Sequence, residues 1–259
     1  MFIDMHAHFF PESIAFKVTH QLADYYEVDV PYQGTLEEYQ NLIQRQGVDA
    51  AVFFTVATVP AQVKIANDWA IRNTKGPLIG FGTLHPDYQD IDGEIQKLKR
   101  AGIKGIKFHP NFQQFYMDDP KALSMYERIV SDFIVLFHVG DTPFRKDFSS
   151  PTRMSRILDL FPGMQFVAAH MGGWQMWDQA LEHLVGREVY FDTSSSAGFL
   201  APEKFKQMIR EHGYRRILLG SDYPISDPLK ESQYLDGLNL KDHEYRGILG
   251  ENARKLLSR

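Results

Sequence analysis

Short runs of consecutive apolar residues recur along the chain. Each is closed by a turn signal and followed by a stretch whose apolar positions fall at helical spacing. The opening Met-Phe-Ile-Asp-Met-His-Ala-His begins as a strand, and further strands are predicted over 50–56, 78–84, 103–108, 133–137, 164–169, 188–192 and 216–220. Helices are predicted over 12–27, 35–47, 61–73, 92–101, 120–131, 153–161, 174–185, 202–212 and 242–257, several of them ended by Gly or Pro. The strand segments are nearly continuous apolar runs, as expected for strands covered on both faces. This alternation calls for parallel strands joined by helical crossovers. About eight such units in a chain of 259 residues describe a (β/α)8 barrel. The rival, an open doubly wound sheet, would usually carry a glycine-rich phosphate loop after its first strand, and none follows here. No internal repeat, low-complexity segment or linker interrupts the pattern, so residues 1–259 are expected to form one domain.

Composition then narrows the chemistry. A net charge of -5 gives no basic footprint for nucleic acid. No apolar run approaches the length of a membrane span, and no basic segment followed by an apolar one opens the chain. The expectation is a cytoplasmic protein that works on small molecules, with neither nucleic acid nor membrane as partner. Cysteine is absent, which excludes thiolate metal sites and leaves His, Asp, Glu and modified Lys as ligands.

The ten histidines supply the strongest signal. Six of them, His6, His8, His85, His109, His138 and His170, lie at the C-terminal ends of predicted strands, and Asp222 holds the equivalent place on the eighth. In a parallel barrel these ends converge on the face that carries the active site. Strict alternation along the first strand puts Asp4, His6 and His8 on one face and Ile3, Met5 and Ala7 on the other. His6, His8, His138, His170 and Asp222 together suit a catalytic zinc site, which needs neutral imidazoles or carboxylates and one open position. Asp222 is placed to take a proton from a metal-bound water. The plainer reading of any single one of these histidines is a hydrogen-bonded barrel lining. His85 and His109 each precede a proline, so each either lines the pocket or merely ends its strand. Gly172 and Gly173 allow close backbone approach beside His170. Trp174 and Trp177 read as packing for the following helix, and 140–151 as a lid or specificity loop.

These motifs resemble the amidohydrolase superfamily, and within it the branch that includes aminocarboxymuconate semialdehyde decarboxylase. The likeness runs in order through Ile3-Asp4-Met5-His6-Ala7-His8, Gly105-Ile106-Lys107-Phe108-His109-Pro110 and His138-Val139-Gly140-Asp141-Thr142-Pro143. It continues through Ala169-His170-Met171-Gly172-Gly173, Gly220-Ser221-Asp222-Tyr223-Pro224 and Gly250-Glu251-Asn252-Ala253. The resemblance implies a distorted (β/α)8 barrel. It implies a divalent metal on His6, His8, His138 and Asp222, usually zinc, with manganese as an alternative. His170 matches a histidine that binds a second metal or contacts the reacting group, and Asp222 matches the general acid/base.

Lys107 stays open. In binuclear relatives such as dihydroorotase a strand-four lysine is carboxylated and bridges two metals; the decarboxylase branch lacks that lysine. The other readings are a salt bridge to Asp4, an anchor for a substrate carboxylate, or an outward-pointing side chain. The leading expectation is a metal-dependent hydrolase acting on an amide, ester or lactone of a small, carboxylate-bearing molecule, bound in part by Lys107, His109 and His85. The alternative is a non-oxidative decarboxylase of an unsaturated or aromatic acid, and a third reading is metal binding without catalysis. Trp69 and Tyr126 on outer helices are compatible with a homo-oligomer and do not require one.

Overall fold

The computed structural model describes residues 1–129, 132–142 and 145–258. Val130 and Ser131, at the end of the helix expected over 120–131, lie outside the described residues. So do Pro143 and Phe144, within the loop expected over 140–151, and Arg259.

The strands are β1 (Ile3–His8), β2 (Ala50–Phe54), β3 (Leu78–Gly80), β4 (Gly105–Phe108), β5 (Ile134–Phe137), β6 (Phe166–Ala168), β7 (Tyr190–Asp192) and β8 (Ile217–Leu218). The helices that follow them in turn are α1 (Glu12–Tyr26), α2 (Leu36–Gln46), α3 (Val63–Asn73), α4 (Ile91–Arg100), α5 (Pro110–Gln113), α6 (Pro120–Glu127), α7 (Pro151–Leu160), α8 (Trp177–His183), α9 (Pro202–His212), α10 (Pro228–Gly237), α11 (Asp242–Arg246) and α12 (Asn252–Leu257). All strand pairs are parallel. They form a three-stranded sheet β1-β2-β3 and a five-stranded sheet β4 to β8 in sequential order. Parallel bridges Gly82↔Ile106 and Ala7↔Tyr223 join the two sheets at both seams. The result is the (β/α)8 barrel, opened slightly at two places.

Side-chain alternation separates two apolar layers. Ile3, Met5, Val52, Phe54, Phe81, Leu136, Val167 and Leu218 pack together as one cluster, which fills the barrel. The intervening positions, such as Phe108, Phe137, Phe166 and Phe191, pack in a second cluster with residues of the surrounding helices. Gly105 is a glycine for a packing reason: a Cβ there would stand 2.3 Å from the Phe81 ring.

The first strand departs from strict alternation. Ile3 and Met5 belong to the barrel filling, whereas Ala7 and Phe9 pack with Tyr39 of α2 on the outside. The β1–β2 register shifts between Asp4 and Ala7. This bulge adds a residue and re-aims the side chains beyond it. Asp4 therefore does not share a face with His6 and His8. Its carboxylate accepts hydrogen bonds from the Tyr39 hydroxyl at 2.6 Å and the Ser221 hydroxyl at 2.6 Å, and from the backbone N–H groups of His6 and Ser221. Burial pushes its pKa up to about 6 even so.

Two further expectations change. The helix expected over 242–257 is interrupted by a π turn at Gly247–Glu251. There the Ile248 carbonyl accepts from Leu219 N–H, and the Asn252 amide holds the Tyr214 and Ile217 carbonyls, so the chain stays tied to β8. Helix α10, which falls between the helices predicted over 202–212 and 242–257, follows Asp227, whose carboxylate caps it by accepting from the Leu229 and Lys230 N–H groups.

Candidate active site

The chain brings most of the strand-end histidines to one place. His6 and His8 close β1, His109 and His138 directly follow β4 and β5, His170 lies two residues beyond β6, and Asp222 lies four beyond β8. His170 and Asp222 both sit in the left-handed region, at φ +61 and +57. Such backbone is unusual for residues other than glycine, and it turns both side chains back over the barrel mouth.

Hydrogen-bond accounting fixes which imidazole nitrogens point inward. The Nδ1–H of His6 donates to Asp192 Oδ2 at 2.8 Å, which leaves its Nε2 with a lone pair. The Nε2–H of His138 donates to the Gly140 carbonyl at 3.0 Å, which leaves Nδ1 with a lone pair. The Nδ1–H of His170 donates to the Ser194 carbonyl at 3.1 Å, which leaves Nε2 with a lone pair. A carbonyl or carboxylate only accepts, so these tautomers follow from the partners. The consequence is that His138 Nδ1 and His170 Nε2 face each other at 2.9 Å, lone pair to lone pair. Two neutral rings in these tautomers repel at that distance, and a proton shared by the two nitrogens or a cation that both face relieves the repulsion.

A second set of contacts agrees. His6 Nε2 stands 3.2 Å from His8 Nε2 and 3.3 Å from Asp222 Oδ1, and His8 Nε2 is 3.5 Å from the same oxygen. Two ligand atoms at about 2.0–2.1 Å from one tetrahedral ion stand about 3.3 Å apart, so this triangle has the edge length of a metal's coordination shell. His6, His170 and Asp222 also offer one ligand atom each within 4.8 Å of one another. The donor set of imidazoles and one carboxylate fits a divalent ion.

Electrostatics favour the deprotonated ligands that a metal needs. Burial first, then the neighbouring Lys107 cation, holds His6 well below its usual pKa. Burial brings His8 down to about 3. Burial also lowers His138 and His170. For Asp222 burial acts upward, but the imidazoles of His6, His170 and His8 and the Ser195 hydroxyl outweigh it and keep the carboxyl below its usual range. All these groups are therefore free to ligate near neutral pH.

Lys107 points inward, fully buried, with its Nζ 3.3 Å from His6 Nε2 and 4.5 Å from the centre of the Phe54 ring. No bond to Asp4 forms, because the bulge turns Asp4 outward. Burial lowers Lys107 to about 8, against the opposing pull of Asp192 and Asp222.

His109 lies against the site. Its ring stacks on His138 with centroids 3.9 Å apart, and its Nδ1 accepts from Phe112 N–H. Its Nε2–H must then donate to the Tyr26 hydroxyl, 2.9 Å away, which leaves the Tyr26 proton free to point elsewhere. His85 does not join the cluster. One ring nitrogen contacts the Gln113 carbonyl at 3.2 Å, the other accepts from Asp87 N–H, and the ring packs edge-on against Phe115.

A cavity of about 1000 Å³ opens over the cluster. His8, His109, His138, His170 and Asp222 form its floor, and Tyr25, Tyr26, Phe112, Trp174 and residues of α1 and α3 form its walls. His85 and Lys107 are not on its lining. Trp174 is thus a wall residue rather than packing alone, and Trp177 pins the site by donating its indole N–H to the His170 carbonyl at 2.9 Å. Gly140, at φ +93, lets the Trp174 backbone approach so closely that a Cβ would lie 2.3 Å from the Trp174 carbonyl oxygen.

Sequence reasoning missed Asp192, Ser194, Ser195 and Tyr26. Asp192 is the least conspicuous, since it ends an ordinary strand. Yet its Oδ1 accepts from the His170 N–H at 3.0 Å and the Ser194 N–H at 3.2 Å while Oδ2 orients His6. The run Thr193-Ser194-Ser195-Ser196 after that strand was the available signal: small hydroxyl residues at a strand end facing the histidines.

The amidohydrolase family model matches residues 3–259. No curated protein matches the chain. Among solved structures, 2,6-dihydroxybenzoate decarboxylase in complex with 2,6-dihydroxybenzoate is 16% identical, with a TM-score of 0.75, covering 99% of this chain and 98% of that one. A dihydroxybenzoic acid decarboxylase from a Polaromonas species, with bound manganese and the inhibitor 2-nitroresorcinol, is 15% identical, with a TM-score of 0.73 and coverage of 99% and 96%. A putative 2-pyrone-4,6-dicarboxylic acid hydrolase from Pseudomonas putida is 18% identical, with a TM-score of 0.69 and coverage of 99% and 97%. At these identities the likeness speaks for the fold. No helix among the described residues is long and apolar enough to cross a membrane.

Proposed function

The chain belongs to the amidohydrolase family, and we propose that it is a metal-dependent, non-oxidative decarboxylase of a hydroxylated aromatic or unsaturated carboxylic acid. This reading places the decarboxylase ahead of the hydrolase that the Lys107 motif suggested. The observation that carries it is the site itself: inward-facing imidazole lone pairs and an ionised Asp222 at the floor of a mostly apolar, aromatic-walled cavity. The decarboxylases of like fold, one with manganese and one with 2,6-dihydroxybenzoate, support it.

The proposed metal ligands are His6, His8, His138, His170 and Asp222, with zinc or manganese as the ion. Bound there, a divalent ion would supply Lewis-acid polarisation of the substrate's oxygen atoms. The chain's own residues do the rest. Asp222, held ionised by its neighbours, takes the proton of the substrate hydroxyl on binding. It then returns that proton to the ring carbon that carries the carboxylate. The bond from that carbon to the carboxylate breaks, its electron pair returns to the ring, and CO2 and the phenolate leave. The Ser195 hydroxyl, bonded to Asp222 Oδ2, holds the carboxyl toward the cavity. The apolar walls exclude water, which favours protonation of carbon over hydrolysis.

The test is CO2 release from 2,6-dihydroxybenzoate and related hydroxybenzoates by protein loaded with manganese or zinc. A lactone and an aryl ester are assayed alongside. CO2 release that is lost in Asp222→Asn supports the proposal. Hydrolysis of the lactone or ester without CO2 release from any acid would overturn it.

A further inference from the structure

Helix α1 is an unusual helix for a barrel. Of its 15 residues only Ala15 and Thr19 are buried. Its apolar stripe, Ile14, Val18 and Leu22 at a spacing of four, belongs to the wall of the cavity above Asp222. Helix α3 presents a matching stripe, Ile65, Ala66 and Trp69, to the same cavity. Ile14 and Ile65 remain 42% and 69% exposed. An amphipathic helix normally spends such a stripe on the core. Here the α1 stripe, joined by Ile65 and Trp69 of α3 (whose own core face includes Val63, Ala66 and Ala70), lines one space that is continuous with the proposed catalytic groups.

The C-terminal end of α1 is fastened to the site. The Tyr25 hydroxyl donates to Asp141 Oδ2 at 2.9 Å, and Tyr26 meets His109. Arg145 packs its guanidinium 3.6 Å from the centre of the Tyr25 ring and donates to the Tyr25 carbonyl. The apolar stripe is thereby held in place over the floor rather than left to drift.

We propose that the α1 and α3 stripes form a second substrate subsite, which binds an apolar group carried by the acid beyond its carboxylate-bearing ring. The occupant is the substrate, because only a molecule rooted at the floor reaches both the imidazoles and these helices through one continuous cavity. A volume of about 1000 Å³ is at the top of the range for ligand pockets and far exceeds what a single-ring acid fills. The preferred substrate is thus a two-ring or tailed acid. The inference rests on the decarboxylase reading for its substrate class, and on the cavity alone for its shape.

The experiment compares salicylate with 3-phenylsalicylate on manganese-loaded protein, by calorimetric binding and by CO2 release. Wild type is expected to bind the two-ring acid about tenfold or more tightly over the single-ring acid, through burial of the added ring. Ile65→Asp, on an exposed position, and Val18→Trp, which fills the space without adding polarity, are each expected to bring that ratio close to one. Equal affinity for the two acids in wild type, no binding of either, or an unchanged ratio in both variants would overturn the subsite. Selective binding of 3-phenylsalicylate without CO2 release from any acid would keep the subsite and reject the decarboxylase. CO2 release with no advantage for the second ring would do the reverse.

Discussion

Asp192→Asn is the sharpest probe of the site, because the change is isosteric and the carboxylate touches no cavity surface. The wild-type carboxylate serves two sides at once. Oδ2 accepts from His6 Nδ1 at 2.8 Å, and Oδ1 accepts from the His170 and Ser194 N–H groups at 3.0 and 3.2 Å. An asparagine has one acceptor oxygen. If that oxygen stays with the two backbone N–H groups, the amide NH2 faces His6 Nδ1. The imidazole must then carry its proton on Nε2, the nitrogen that points at His8 and Asp222. A metal held by the proposed ligands would lose a lone pair, or its binding would have to offset the tautomer change. Loss of a carboxylate partner of a metal-bound histidine typically weakens binding about 10–100-fold. That corresponds to about 1.4–2.7 kcal/mol. The assay is zinc and manganese affinity by competition with a chromophoric chelator, alongside the melting temperature of the metal-free protein. A weakened affinity with a nearly unchanged metal-free melting temperature is the expected result. An affinity equal to wild type in a folded variant would refute the tautomer argument and remove His6 Nε2 from the ligand set.

Other outcomes follow from the same geometry. Asp222→Asn should lower turnover of a responsive acid by about 10²–10⁴, the usual worth of a positioned acid/base, as read from initial rates of CO2 release. Tyr26→Phe removes a hydroxyl from the cavity wall and leaves the proposed ligands in place, so kcat/KM should fall by about 2–10-fold through one lost hydrogen bond, with metal content unchanged. Stripping the metal with a chelator should lower the melting temperature, since an ion at 100 times its Kd stabilises the fold by about 2.7 kcal/mol. His212 gives a pH signature away from the site. Burial brings it down to about 4, while its Nε2–H donates to the Val189 carbonyl at 2.8 Å and its Nδ1 accepts from Gly186 N–H. The unfolded chain therefore binds the extra proton between about pH 6.5 and 4. The contribution of His212 is full above 6.5 and is lost as the pH falls toward 4, by about 3 kcal/mol in all. Chemical denaturation across that range should show a shallower decline in His212→Gln than in wild type; parallel curves would argue against it.

Much of this protein is legible in its sequence because the governing signals are local. Short, nearly continuous apolar runs bounded by turn signals fit strands covered on both faces, and eight of them with helical crossovers leave few arrangements other than the barrel. Histidines that end parallel strands must meet at one mouth, so His6, His8, His138, His170 and Asp222 could be gathered without coordinates. Long-range geometry decided the rest. Alternation placed Asp4 beside His6, but a bulge set by pairing with β2 turns Asp4 to Tyr39 and Ser221 and leaves Lys107 facing His6 instead. Sequence places His85 at a strand end as it does His109, but β3 closes at Gly80, and the Gln113 carbonyl and the Asp87 N–H occupy the His85 nitrogens and hold it off the cavity lining. Asp192 looks ordinary in sequence because its role depends on partners 186 and 22 residues away. Helix α1 reads as one more crossover until the fold shows its apolar stripe facing a cavity, since periodicity reports that a face is apolar and only the tertiary structure decides what covers it.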